Sequence, residues 1–398
     1  MRTLRGAGAH LLLALAGSLC LWAPGGAAAA QHAVAGSVAD EAPSYQINVG
    51  HTGSTTLSTG FSTPLKQVWQ VNLDADLSFP IIADGAVFTV GGDNNVTALD
   101  IATGKKRWTK AIDDGDLHLG ATYDNGIVFV MNASNFMSAF ATSNGKTKWA
   151  EQLPLQPFSE APPMAVNGAV YTSGIGTGGF LYAISEADGT VLWQRDVING
   201  AFSIPAYGDN GIYVAYPCQF YKFDAATGKT DWHFDGDESG GGGETVVYSN
   251  KQVYIQDEGA CGDAIAASHS GKFTGSFDQG LMKSGGNPTV FANSKGKNMG
   301  LSLAAPDFGD PVALVCWDGR TGQKKWSFVG DGQLSTNPIV VNGIIVVGSA
   351  SGQIFFVNQK GKKVWQTSGG VDGVLSLTAG EGTLIAVGEA KVAAFVPQ

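Results

Sequence analysis

The sequence is poor in the residues that usually do chemistry. Its 398 residues hold four cysteines and six histidines. There is no C-x-x-C, no pair of adjacent cysteines and no H-x-x-x-H. The dithiol, haem-attachment and zinc patterns that such spacings signal are therefore excluded. Charge is scarce as well. Only 15% of the residues are charged, and 34 acids against 24 bases leave a formal net charge of -10. A chain without basic excess lacks the electrostatic footprint of a nucleic-acid binder. After residue 30, no run approaches the ~18 apolar residues of a membrane-spanning helix. Hydrophobic residues nevertheless make up 44% of the chain, which is too apolar for disorder and ample for a core.

The first thirty residues follow the layout of a secretory leader. Arg2 and Arg5 come first, an apolar stretch runs from Leu11 to Leu21, and Ala27 to Ala30 supply small residues for cleavage. The expected organisation is a leader over 1–30, a Gly/Ser/Thr-rich arm over 31–62 and one folded domain over 63–398. The arm is expected to be disordered or draped over one face of that domain. An exported, monomeric protein, periplasmic or extracellular, is the consequence.

Glycine is what the chain has in abundance, at 56 residues, and it recurs in register. "ALDIATGKKRW" ends at Trp108, "FATSNGKTKW" at Trp149, "ISEADGTVLW" at Trp193, "FDAATGKTDW" at Trp232, "WDGRTGQKKW" at Trp326 and "VNQKGKKVW" at Trp365. A decayed copy, "AASHSGKFTGSF", keeps the turn glycine Gly271 and loses the aromatic. "LKQVWQV", around Trp69, completes a count of eight units. Upstream of each turn lie two β-rich runs joined by D-G or N-G, as in "PIIADGAVFTVGG", a strong hairpin signal. Four antiparallel strands per ~40 residues is the blade of a β-propeller. The fold expected is all-β: an eight-bladed propeller of four-stranded antiparallel blades. The last unit supplies three strands and the strand around Trp69 the fourth, which hides both edges of the open repeat. Within a blade, the tryptophan is expected to pack between blades and the small Ala98 to leave room for it.

Cys218 and Cys261 each stand ten residues before a turn glycine, Gly228 and Gly271. Equivalent sites in adjacent blades of an exported protein predict a disulfide between them. Cys316 occupies the small inward position and is expected to be a buried free thiol.

The pattern A-x-D-x-x-T-G-x-x-x-W, here Ala98-Leu99-Asp100 with Thr103-Gly104 and Trp108, resembles the repeat of pyrroloquinoline-quinone-type propellers. The resemblance spans the chain after residue 63. Two groups share that repeat. Quinoprotein alcohol and glucose dehydrogenases carry the quinone and a calcium ion on the propeller axis. The propeller lipoprotein of the outer-membrane β-barrel assembly machinery lacks the quinone and is similar to this chain in length. The adjacent-cysteine disulfide of many alcohol-oxidising members is missing here. Leu19 stands before Cys20, where a lipoprotein leader has a small residue. The resemblance is specific for fold and does not decide function; the lack of any strong catalytic motif favours a binding or scaffold protein of the cell envelope with a protein or carbohydrate ligand, and no cofactor or metal is expected. The alternative is an axial enzyme, either a quinone-dependent dehydrogenase or a sugar-directed lyase or hydrolase.

Any ligand is expected at the mouth of the channel where the innermost strands begin. One to three residues before those starts lie Ser78, His118, Glu160, Ser203, Glu244, Asn287, Asn337 and Ser376, among apolar neighbours such as Phe79 and Phe202. His118 with Glu160 or Glu244 would be an acid–base pair.

Overall fold

The computed structural model describes residues 40–112, 118–155, 158, 161–176, 178–198, 200, 202–236, 244–256, 262–277, 282–283, 287–305, 307 and 309–398. Among these the regular structure is β-strand throughout, in eight sheets. Blade one is typical. Ile81–Ala83 is innermost, followed by Ala86–Gly91, Asn95–Asp100 and Lys106–Ala111, each antiparallel to the next. The innermost strands of blades two to eight begin at His118, Met164, Ala206, Val247, Thr289, Ile339 and Ser376. Blade six carries an additional short strand, Met282–Lys283, on the same inner partner, Asn298–Ala305. Leu65–Asn72 pairs antiparallel with Lys391–Pro397, so the N-terminal strand closes blade eight as its outermost member.

The T-G turn and the tryptophan form one device that links neighbouring blades. Asp100 Oδ1 accepts from the Thr103 amide (3.0 Å) and hydroxyl (2.7 Å), fixing the turn. Gly104 then takes a φ of +69°, open to glycine at little cost. It also lies flat beneath the Trp69 ring of the preceding blade; a Cβ there would sit 2.7 Å from the indole. The same indole donates to Ile101 O at 2.7 Å. Trp108, Trp149, Trp193, Trp232 and Trp326 repeat the contact on the carbonyls of Thr142, Glu186, Ala225, Ser268 and Gln359. The strand opposite each tryptophan supplies room: Ala98 faces Trp108, Ala139 faces Trp149 and Cys316 faces Trp326.

Two junctions differ. In blade five the aromatic is absent and the Gly322 turn rests on the Ser276 backbone, where a Cβ would meet Ser276 O at 1.7 Å. Phe277 stacks on Trp317 there, with centroids 4.7 Å apart. Trp365 faces blade eight, whose two outer strands, Leu65–Asn72 and Lys391–Pro397, are far apart in sequence and have no turn between them; Gln398 N donates to Pro64 O instead.

Cys316 is buried and free. Cys218 is buried and disulfide-bonded; its expected partner, Cys261, lies outside the described residues. Thiol titration of the denatured protein lacking its leader is expected to give one reactive group before reduction and three after. Three before reduction would contradict the bridge.

From residue 40 onward the arm follows neither expected course. It runs inside the ring, along the innermost strands. Asp40 O accepts from Glu381 N of blade eight at 2.8 Å, and Ala42 exchanges two 2.9 Å bonds with Ile82 of blade one. Pro43 O accepts from Tyr123 N of blade two, Val49 O from Tyr207 N of blade four and Gly50 O from Tyr248 N of blade five. Thr52 O then meets Val290 N of blade six, Gly53 O meets Val340 N of blade seven, and Ser54–Thr55 joins blade seven as a parallel fifth strand. Blade three is served differently, by the Thr122 hydroxyl on Ala165 N. The circuit closes where Ser58 N donates to the Asp40 carboxylate at 2.8 Å. The physical reason is the open edge that every innermost strand turns toward the axis. Its N–H groups need acceptors, and the arm supplies backbone carbonyls blade by blade while burying Ala42, Ile47, Leu57 and Phe61.

Candidate functional site

Between Ser44 and Ile47 the arm makes a tight turn, closed by a bridge between those two residues. Gln46 and Ile47 both take left-handed φ values, +50° and +74°. For a buried β-branched residue that backbone is strained. The turn sends Tyr45 across the axis. From an arm held by blades two and four, its ring reaches Phe79 of blade one, edge to face at 5.0 Å. Its hydroxyl accepts from Asn287 Nδ2 (3.1 Å) before the inner strand of blade six and from Asn337 Nδ2 (2.6 Å) before that of blade seven. Burial pushes the Tyr45 hydroxyl up to about 12, so it stays neutral. His51 anchors the same turn: its Nδ1 lies 2.9 Å from Tyr45 O and its Nε2 3.0 Å from Pro205 O. Desolvation pushes the buried His51 below its ordinary value, and the two carbonyls push it back.

Two of the residues expected at this mouth, Asn287 and Asn337, are thus brought together by Tyr45. Asn337 and Ser376 line a recess of about 320 Å³ beside it. Ser78 and Ser203 serve the strands: Ser78 Oγ accepts from Val90 N at 3.1 Å, and Ser203 Oγ accepts from Ala215 N at 3.0 Å and donates to Glu244 O at 3.1 Å. Glu244 pairs through its backbone with Ala215. His118 begins the inner strand of blade two and pairs with Asn132. Its side chain, like Glu160 as a whole, lies outside the described residues, and so does the acid–base pair built on them. Sequence reasoning missed Tyr45 and Gln46. The arm belongs to no repeat, and nothing in its pattern marks these two residues.

A second group of carboxylates sits on the opposite face, among the D-G and T-G turns. Glu186 of blade three is buried; its carboxylate accepts from Gly168 N at 3.1 Å and Asn125 Nδ2 at 3.3 Å. Desolvation, with Asp124 alongside, pushes it up to about 8. The unfolded carboxyl releases its proton near 4.5. Glu186 therefore favours the fold most below that pH, and this advantage is lost as pH rises through 8. Glu186→Gln is expected to leave stability unchanged at pH 4.5 and raise it by roughly 1–3 kcal/mol at pH 8. Urea unfolding at both pH values checks this.

The residues present do not fit an axial quinone with calcium. Tyr45 spans the mouth from one side to the other, and the amides of Asn287 and Asn337 are turned onto its hydroxyl. Among the described residues no three His, Cys, Asp or Glu side chains gather in a metal-holding group.

Eight four-stranded blades, clasped by tryptophans over turn glycines, define a propeller of the pyrroloquinoline-quinone-like repeat class. Three successive stretches, 65–170, 154–280 and 298–398, match the family of the outer membrane protein assembly factor BamB. The chain belongs to that family.

Among solved structures, BamB from Moraxella catarrhalis is 18% identical, covering 84% of this chain and 100% of that one, with a TM-score of 0.63. A quinohemoprotein alcohol dehydrogenase from Comamonas testosteroni is 14% identical over 90% of this chain and 80% of its own, with a TM-score of 0.71. The computationally designed protein Ika8 is also 14% identical, over 83% of this chain and 99% of its own, with a TM-score of 0.63. At such identities the likeness is one of fold. No curated protein matches the chain in sequence.

Proposed function

We propose that the protein is an exported, non-catalytic propeller of the cell envelope that docks another protein. The observation that carries this reading is the filled axis. Where an axial enzyme holds its reacting groups, this chain has placed its own arm and the Tyr45 side chain. What it exposes instead is apolar. Leu155 and Phe158, in the connection from blade two to blade three, are 69% and 57% exposed. Phe202, between blades three and four, and Leu375, entering blade eight, are each 51% exposed. All four lie on blade-to-blade connections, on the face that carries the recess. Leu155 and Phe202 also hold left-handed φ values of +67° and +60°. Left-handed backbone at a bulky apolar residue is uncommon. The family's description as an outer-membrane assembly factor and the leader-like first thirty residues support an envelope location.

A photo-crosslinking residue placed at Phe202, and another at Lys148 on the outermost strand of blade two, tests the reading in the native envelope. Protein adducts from position 202 and none from 148 are expected. Quinone- and calcium-dependent dye reduction with alcohols or sugars by the purified protein would overturn it.

A further inference from the structure

Two residues that line the recess beside Tyr45 carry buried polar atoms that the protein leaves without partners. The recess floor comes from the arm, through Tyr45 and Gln46, and its walls from Leu77 and Phe79 of blade one, and Leu375 and Leu377 of blade eight. Gln46 is 7% exposed and Thr378 2% exposed, and both line the recess. Gln46 Nε2 and Thr378 Oγ1 have no hydrogen-bond partner. A buried donor without a partner is costly and uncommon in a native fold. Here one of the two is held in place by a strained turn. Among the described residues no charged side chain lines the recess.

Resting on the docking role above, we infer that this recess binds one uncharged peptide unit of the partner together with its large apolar side chain. The chemistry selects that group. An amide offers a carbonyl to Gln46 Nε2 and an N–H to Thr378 Oγ1. Soft rotation about the terminal torsion of Gln46 and the hydroxyl of Thr378 turns both toward an occupant. The apolar side chain lies against Phe79, Leu375 and Leu377. A carboxylate would meet no cation among the described lining residues, which costs desolvation without return. A volume of about 320 Å³ holds a residue or two and no more. The recess therefore acts as the anchor point of a larger interface, the usual place for a buried hot-spot side chain.

The test uses the full mature protein and a small probe, N-acetyl-phenylalaninamide, titrated by NMR, with N-acetyl-phenylalanine carboxylate and glucose as comparisons. Saturable binding of the amide at millimolar concentration, weaker binding of the carboxylate and none of glucose are expected. Gln46→Met and Thr378→Val each remove one hydrogen-bonding group at nearly constant volume. Each is expected to weaken the amide about tenfold. Each should also raise the melting temperature, because an unpartnered polar atom has been replaced by an apolar one. A purely structural role would move stability the other way. No saturable binding, equal binding of all three probes, or unchanged affinity in both variants would overturn the inference. Cross-links from Phe202 alongside any of those results would leave the docking role standing without this anchor.

Discussion

Trp149→Ala is expected to destabilise the ring by about 3–5 kcal/mol, the range for truncating a buried tryptophan. Trp365→Ala is expected to cost markedly less. Trp149 is buried against Phe129 and donates to Glu186 O in the next blade at 2.8 Å. Its removal opens a cavity between two sheets and strips a carbonyl of its donor. Trp365 is half-buried against Phe356 and faces the blade whose outer strands no turn connects. The reciprocal change is Gly228→Ala, beneath Trp193. Its φ is +66° and its Cβ would lie 2.6 Å from the indole. Backbone strain and overpacking together cost about 2–4 kcal/mol. Denaturant unfolding of the three variants checks the order: Trp149→Ala and Gly228→Ala low, Trp365→Ala near the parent.

Ile47→Ala is the second large effect, at about 2–5 kcal/mol. Ile47 is 2% exposed in a segment that sequence composition reads as loop. A draped or disordered arm would lose almost nothing on the same change, since exposed substitutions stay within about 0.5 kcal/mol. The loss is expected in the melting of the whole ring, because the arm joins seven of the eight inner strands.

The ring itself was legible in the sequence because side chains define it. Thr103-Gly104 and Trp108 recur with their spacing, Ala98 or its equivalent stands opposite the tryptophan, and the missing fourth strand at the C-terminus points to the strand around Trp69. The decayed unit at Gly271 was countable because its turn survives; the replacement of its aromatic by the Ser276 backbone was not readable. The course of the arm left no such trace. It is held by carbonyls of Pro43, Val49, Gly50 and Thr52, and every residue type has a carbonyl. Asn287 and Asn337 could be placed at the mouth by counting from strand starts. That they would turn onto Tyr45, and that Gln46 and Thr378 would share a recess, depends on a chain segment whose path only the fold supplies.

Amide hydrogen exchange of the native protein, read by mass spectrometry over peptides spanning residues 40–58, tests the central claim most directly. An arm bonded to the inner strands and buried in the channel exchanges only through opening of the ring. Its protection should match that of the blade interiors, with Tyr207, Tyr248, Val290 and Val340 protected alongside it. Exchange of the arm at the rate of a free chain, with the blades still protected, would contradict the filled axis and the non-catalytic reading that rests on it.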